Sequence, residues 1–197
     1  VAAVSATDVD GAVAEATRAI TQLNACGIQI YTPLAGQPLD GPAYAPLFKT
    51  LADFDLPIWL HPARTAAMAE YPAEAKSRFE MWWCFGWPYD TSVAMVRMVF
   101  CGLLDRYPNL KIILGHLGET LPFLVWRVDQ ALSRPGAKSI SFRDVFCNHF
   151  YITTSGNFST PVAMFPLKAM TIEGTPLSNS PKKRTTGPRR LRGYSAR

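Results

Sequence analysis

The stretch Asn109–Phe123, NLKIILGHLGETLPF, decides how the rest of the chain is read. Leu110 to Leu114 is apolar apart from Lys111, the composition of a short strand buried on both faces. Gly115, His116 and Gly118 break that run. From Glu119 the spacing becomes helical, with Leu121, Leu124, Val125 and Val128 on one side. Strand, histidine, tight turn and helix make one βα step. In α/β proteins, chemistry is placed at the C-terminal ends of parallel strands, and His116 and Glu119 sit at such an end. A plainer reading also fits: His116 as a helix cap, with Glu119 suiting the first turn.

The same step recurs outward from this point. Strands are expected near residues 1–5, 27–32, 56–60, 110–114 and 150–154. Helices are expected from Val9 to Leu23, Ala45 to Phe54, Ala73 to Trp83, Thr91 to Tyr107, Glu119 to Leu132, Ser141 to Asn148 and Thr160 to Met170. Residues 63–90 form a long insertion whose dense aromatics (Phe79, Trp82, Trp83, Phe85, Trp87, Tyr89) suit either a core or the wall of a pocket or interface. Strands alternating with helices indicate a parallel sheet, either an open doubly wound sheet or part of a (β/α)8 barrel. No glycine-rich nucleotide loop follows any strand, which weakens the nucleotide-binding version of the open sheet. A complete barrel needs about 250 residues; this chain has 197.

Two histidines close consecutive strands, His61 in LPIWLHPAR and His116 in ILGHLGE. Adjacent strands lie about 5 Å apart, so both rings can face one point above the sheet. Imidazole there serves as a metal ligand or as a general acid or base, and the sequence leaves both open. His149 falls at the start of its strand, on the opposite side, and reads as structural or solvent-exposed. Thr32 and Thr153-Thr154-Ser155 are the polar residues at other strand ends.

Charge separates body from tail. Residues 1–170 hold 13 basic and 14 acidic groups, whereas residues 171–197 hold seven basic groups against Glu173 alone. A basic binding surface on the body is therefore not implied, and neither a nucleic-acid partner nor a membrane is expected. The longest apolar stretch, Val93 to Leu104, carries Arg97 and is too short for a bilayer. Cys26, Cys84, Cys101 and Cys147 form no C-x-x-C pair and read as reduced, buried thiols of a cytoplasmic protein.

LPIWLHPAR, FGWPY-TSVAM, DRYPNLKIILGHLGETLPF-WR-D and FYITTSGNF together resemble the amidohydrolase-related metal-dependent decarboxylases. That family includes the γ-resorcylate, dihydroxybenzoate and aminocarboxymuconate-semialdehyde decarboxylases. The resemblance covers about residues 1–170. It implies a (β/α)8 TIM-type barrel of which this chain spans roughly the third to seventh strands. It also implies non-oxidative decarboxylation of a small aromatic or related carboxylic acid by a carboxy-lyase. A divalent metal, Zn or Mn, would hold the carboxylate and neighbouring hydroxyl while a ring carbon is protonated. By the same resemblance His61 is a metal ligand, and His116 and Glu119 are catalytic. Arg64, Trp87, Arg127 and Thr154 bind substrate or support the site, and a homo-dimer or tetramer is expected.

Departures from that pattern set two further expectations. The ligands that the family carries on its first strand have no counterpart, because nothing precedes Val1. After Met170 the sequence TIEGTPLSNSPKKRTTGPRRLRGYSAR lacks the aspartate-bearing eighth strand and reads as a disordered basic tail. The abrupt change there looks like a shifted reading frame or an alternative exon. The domains are therefore expected as a partial barrel, 1–170, and a tail, 171–197. Alternative functions are a hydrolase of the same superfamily or a fragment without catalysis.

Overall fold

The computed structural model describes residues 1–131 and 141–156. The expected helix over 160–170 and the tail over 171–197 lie outside the described residues.

Among the described residues, five parallel strands follow one another in space as they do in sequence. They are β1 (Ala2–Ala3), β2 (Ile28–Thr32), β3 (Ile58–Pro62), β4 (Ile112–Leu114) and β5 (Phe150–Ile152). Register runs Ile28↔Ile58↔Ile112↔Phe150 across the sheet. The connecting helices are α1 (Val9–Leu23), α2 (Ala45–Asp53), α3 (Met81–Cys84), α4 (Gly86–Phe100), α5 (Leu103–Arg106), α6 (Leu121–Ala131) and α7 (Phe142–His149).

Strand order and burial choose between the two architectures. A doubly wound sheet reverses its strand order and covers both faces with helices; here the order never reverses. One face, carrying Ile28, Ile30, Ile58, Leu60, Ile112, Leu114 and Phe150, is buried in the main core beneath the helices. The other carries Gln29, Tyr31, Trp59, His61, Ile113 and Tyr151, all half-buried or exposed. Helices outside and a second face turned inward are the layout of a barrel wall, and the chain forms part of such a barrel. The run Leu110–Leu114 is thus buried on one face only, a correction to its reading as doubly buried.

Local chemistry explains the element bounds. Asp8 caps α1 by accepting a hydrogen bond from Gly11 N at 3.2 Å, and Asn24 stops the helix in the left-handed conformation. The face α1 buries fully is Ala12, Ala16 and Ala19, with Val9, Val13 and Ile20 packed partly buried beside it. The short alanine side chains let the helix lie close to its neighbours. Strand β3 runs on through His61 and Pro62, past the expected stop. Residue 62 directs its amide position toward Gly115, just beyond the end of β4, so proline removes no needed donor. In the insertion only Met81–Cys84 is helical before α4, because Phe79 and Glu80 both adopt positive φ. Gly102, at φ 77°, divides the expected 91–107 helix into α4 and α5.

All four cysteines are free and exposed, which corrects their reading as buried. Among the described residues no helix is long and apolar enough to cross a membrane.

Candidate active site

Parity along β2 and β3 sets the floor of the site. Tyr31 pairs in register with His61, so both side chains project from the inward face. Their rings meet edge-on with centroids 5.7 Å apart. The hydroxyl of Tyr31 accepts a hydrogen bond from Gln29 Nε2 at 2.7 Å. Thr32, the polar strand end visible in the sequence, faces the opposite way and is buried. A one-residue shift in parity exchanges the two faces of a strand, and that shift hid Tyr31.

His61 has its tautomer set by its own strand. Its Nδ1 lies 2.7 Å from the Pro62 carbonyl oxygen. A carbonyl only accepts, so Nδ1 carries the proton and Nε2 keeps the lone pair. This is how a ligating or proton-accepting histidine is commonly prepared.

His116 stands on the next strand end, its ring centroid 6.1 Å from that of His61. It opens a short turn, His116–Gly118, in an unusual backbone. His116, Leu117, Gly118 and Glu119 have φ values of 49°, 59°, 76° and 58°. Four successive residues at positive φ, three of them not glycine, hold strain that tertiary contacts must offset. Those contacts come from the end of β5. His116 N donates to Ser155 O at 3.0 Å, and Leu117 N to Thr153 O at 2.9 Å. Gly156 presses on the ring: a Cβ there would lie 2.5 Å from His116 Cδ2.

This turn brings Glu119 back beneath His116. Glu119 is only 7% exposed, and its Oε1 accepts from His116 Nδ1 at 2.7 Å. The carboxylate raises the His116 pKa above its ordinary value, chiefly through this hydrogen bond, while burial works against the rise. Glu119 Oε2 is buried without a hydrogen-bond partner among the described residues. With Nδ1 engaged on both histidines, Nε2 is the atom each offers to a ligand.

Trp87 forms the wall. Its ring centroid is 5.8 Å from His61, 6.0 Å from His116 and 5.4 Å from Trp82. Its indole N–H donates to the Arg64 carbonyl at 2.9 Å. Arg64 binds Asp90 with two hydrogen bonds, Nε to Oδ2 at 2.8 Å and Nη2 to Oδ1 at 3.1 Å. The insertion's other aromatics are not core: Phe79, Trp83, Phe85 and Tyr89 are exposed.

Arg127 is exposed on α6. Thr154 is exposed, and its neighbours Thr153 and Ser155 make the contacts to the His116 turn. His149 Nδ1 donates to the Leu110 carbonyl at 3.0 Å, a structural role at the N-terminal end of the strands, opposite the end that carries His61 and His116. Tyr31, Asp90 and Gly156 join the site without having stood out in the sequence. Tyr31 is recoverable from strand parity; Asp90 and Gly156 carry no sequence signal linking them to the histidines.

The donors fit a metal ion only in part. A catalytic zinc takes about three protein ligands, and among the described residues no group of three His, Cys, Asp or Glu side chains could hold one. His61 offers one imidazole donor. His116 offers a second only if it gives up the proton that Glu119 favours.

A strand-end histidine pair inside a parallel β/α barrel wall defines the broad class. The family follows from comparison with known proteins. A sequence profile of the amidohydrolase family matches residues 1–166, and the chain belongs to that family. It is 34% identical over 161 residues to a gamma-resorcylate decarboxylase from Polaromonas sp. strain JS666, covering 76% of this chain and 45% of that protein. It resembles the crystal structure of 5-carboxyvanillate decarboxylase LigW from Sphingomonas paucimobilis, with TM-score 0.72, 30% identity and coverage of 85% and 51%. It also resembles a Polaromonas dihydroxybenzoic acid decarboxylase holding manganese and the inhibitor 2-nitroresorcinol, with TM-score 0.65, 29% identity and coverage of 83% and 52%. The chain spans about half the length of the curated relatives it matches.

Proposed function

We propose that this chain is the central part of a metal-dependent, non-oxidative decarboxylase acting on a small aromatic carboxylic acid. The observation that carries the proposal is the pair His61 and His116, 6.1 Å apart at neighbouring strand ends, with Glu119 beneath His116. The names of the relatives favour decarboxylation over hydrolysis. A divalent cation, manganese as in the Polaromonas structure or else zinc, is the expected cofactor. The described residues do not complete its ligand set. Four free thiols suit a reducing compartment such as the cytoplasm.

His116 has the means to deliver a proton. Glu119 favours its charged form, and Nε2 faces outward. Transfer of that proton to the ring carbon bearing the carboxylate breaks aromaticity. Loss of carbon dioxide returns the electron pair of the cleaved carbon–carbon bond to the ring and restores it. His116 is left neutral and regains its proton from solvent. Glu119 holds the ring orientation and stabilises the imidazolium.

A second reading concerns this chain alone: it does not turn over by itself. The half-exposed inward face and the incomplete donor set favour it. The test assays the chain and a full-length relative, each with manganese or zinc, for carbon dioxide release from hydroxybenzoates and for ester or lactone hydrolysis. Carbon dioxide release by the relative, lost on replacing the residue equivalent to His116, supports the decarboxylase reading. Hydrolysis without carbon dioxide release overturns it.

A further inference from the structure

Trp87 touches both histidines, so whatever fixes Trp87 shapes the site. The indole is held from two directions. Its N–H donates to the Arg64 carbonyl at 2.9 Å, and its edge meets Trp82. Arg64 must then be fixed itself, because it lies in the segment after β3, outside regular structure. Three contacts fix it. Its guanidinium is gripped by both oxygens of Asp90. The side chains of this pair are only 16% and 9% exposed, so water competes weakly for either partner. The third contact is steric: a Cβ on Gly86 would lie 2.2 Å from Arg64 Cδ, so the arginine stem rests on bare backbone.

Trp87 and Asp90 belong to the same turn of α4, three residues apart, and so share one helix face. Arg64 bridges them, with its carbonyl on the indole and its guanidinium on the carboxylate. A closed loop results: Asp90, Arg64, Trp87 and back along the helix. We propose that Asp90 is a positioning residue, acting through Arg64 to set the Trp87 indole against the His61–His116 pair. A corollary concerns Arg64. The guanidinium edge formed by Nε and Nη2 is committed to Asp90. Arg64 is therefore part of the frame, and that edge does not receive a substrate carboxylate. In the last point the inference rests on the decarboxylase reading; the clamp does not.

The experiment uses the full chain, free of metal and substrate, with 5-fluorotryptophan incorporated. The chain has five tryptophans, and Trp87→Phe assigns the Trp87 fluorine signal. Two variants are compared, Asp90→Asn and Arg64→Lys, which keeps the charge but lacks the fork. In each, the Trp87 fluorine signal and the His61 Hε1 proton signal are expected to shift while Trp126 stays in place. The double variant is expected to shift no further than either single one, as for partners in one interaction. An unmoved Trp87 signal in either folded variant overturns the proposal. So does a shift shared equally by Trp126, or failure of both variants to fold, since either marks the pair as a general structural tie. No substrate enters these measurements, so their outcome is independent of the decarboxylase reading. The corollary has its own arm, run on a full-length relative active in carbon dioxide release. Replacing its equivalent of Asp90 is expected to lower kcat more than it raises KM. A rise in KM alone overturns the assignment of Arg64 to the frame.

Discussion

Glu119 Oε1 and His116 Nδ1 are 2.7 Å apart across a turn in which every residue from 116 to 119 has positive φ. Such a backbone disfavours ordinary side chains, and Glu119, at φ 58° and ψ −130°, lies in a region natural to glycine. The strain brings a buried carboxylate under an imidazole that sits only three residues earlier. An ordinary helix would place them on the same face but would not bury the acid beneath the ring.

The first prediction concerns pH. The Glu119 hydrogen bond raises the His116 pKa in the folded chain above the ordinary value of 6.5. Folding therefore favours the protonated ring. That contribution to stability is complete below about 6.5, the unfolded value, and is lost as pH rises through the raised folded value. Urea midpoints of the metal-free chain should fall across this window. Glu119→Gln should return the His116 titration toward its ordinary position and flatten the slope. An Hε1 titration that stays raised in Glu119→Gln would rule out the carboxylate as the cause.

The second concerns Gly156. Its φ of 71° and its contact with His116 both oppose a side chain. Gly156→Ala should lose about 1–2 kcal/mol from backbone strain, with a further loss from the clash. It should also displace the His116 ring, seen as a moved Hε1 signal. Gly36 supplies the control: its φ is 73°, and a Cβ there would meet nothing within 4 Å. Gly36→Ala should show the strain without moving His116. Equal effects of both substitutions on that signal would separate Gly156 from the ring.

Strand positions were legible because apolar runs ending in turn residues are a local signal. The strand and helix pattern alone left the barrel and the doubly wound sheet both open, because strand order and the side that helices cover are not written locally; the motif resemblance chose the barrel. What failed did so for identifiable reasons. Thr32 looked like the strand-end residue, but pairing with β3 turns Tyr31 to the site instead. The Arg64–Asp90 pair spans 26 residues and depends on how the insertion folds back. Aromatic density in that insertion left core and pocket wall open; Trp87 stands against His61 with Trp82 behind it, while Phe79, Trp83, Phe85 and Tyr89 are exposed. Cysteine is usually buried, but all four sit at the surface here.

The third prediction tests which sheet face carries the core. Phe100, Phe142, Phe146 and Phe150 stack in sequence, with centroid separations of 6.2, 5.9 and 5.5 Å. Phe146 is fully buried among them. Phe146→Ala should cost about 3–5 kcal/mol in urea unfolding. Tyr151, on the inward face of β5, is 50% exposed. Tyr151→Ser should change stability by only about 0.5 kcal/mol. A large loss from Tyr151→Ser would mean that the inward face is covered in solution.

The last prediction concerns metal. His61 presents a fixed lone pair, but His116 is held toward its protonated form, and no third donor joins them among the described residues. One neutral imidazole binds a divalent ion weakly, because affinity depends on several deprotonated donors converging. Manganese or zinc should therefore bind the chain weakly and below one equivalent by calorimetry. His61→Ala should remove most of that binding. His149→Ala should leave it unchanged, since His149 is tied to the Leu110 carbonyl at the N-terminal ends of β4 and β5. One tight equivalent of metal in the unaltered chain would show that His61 already has a full set of companions, and the incomplete site inferred from the described residues would then be wrong.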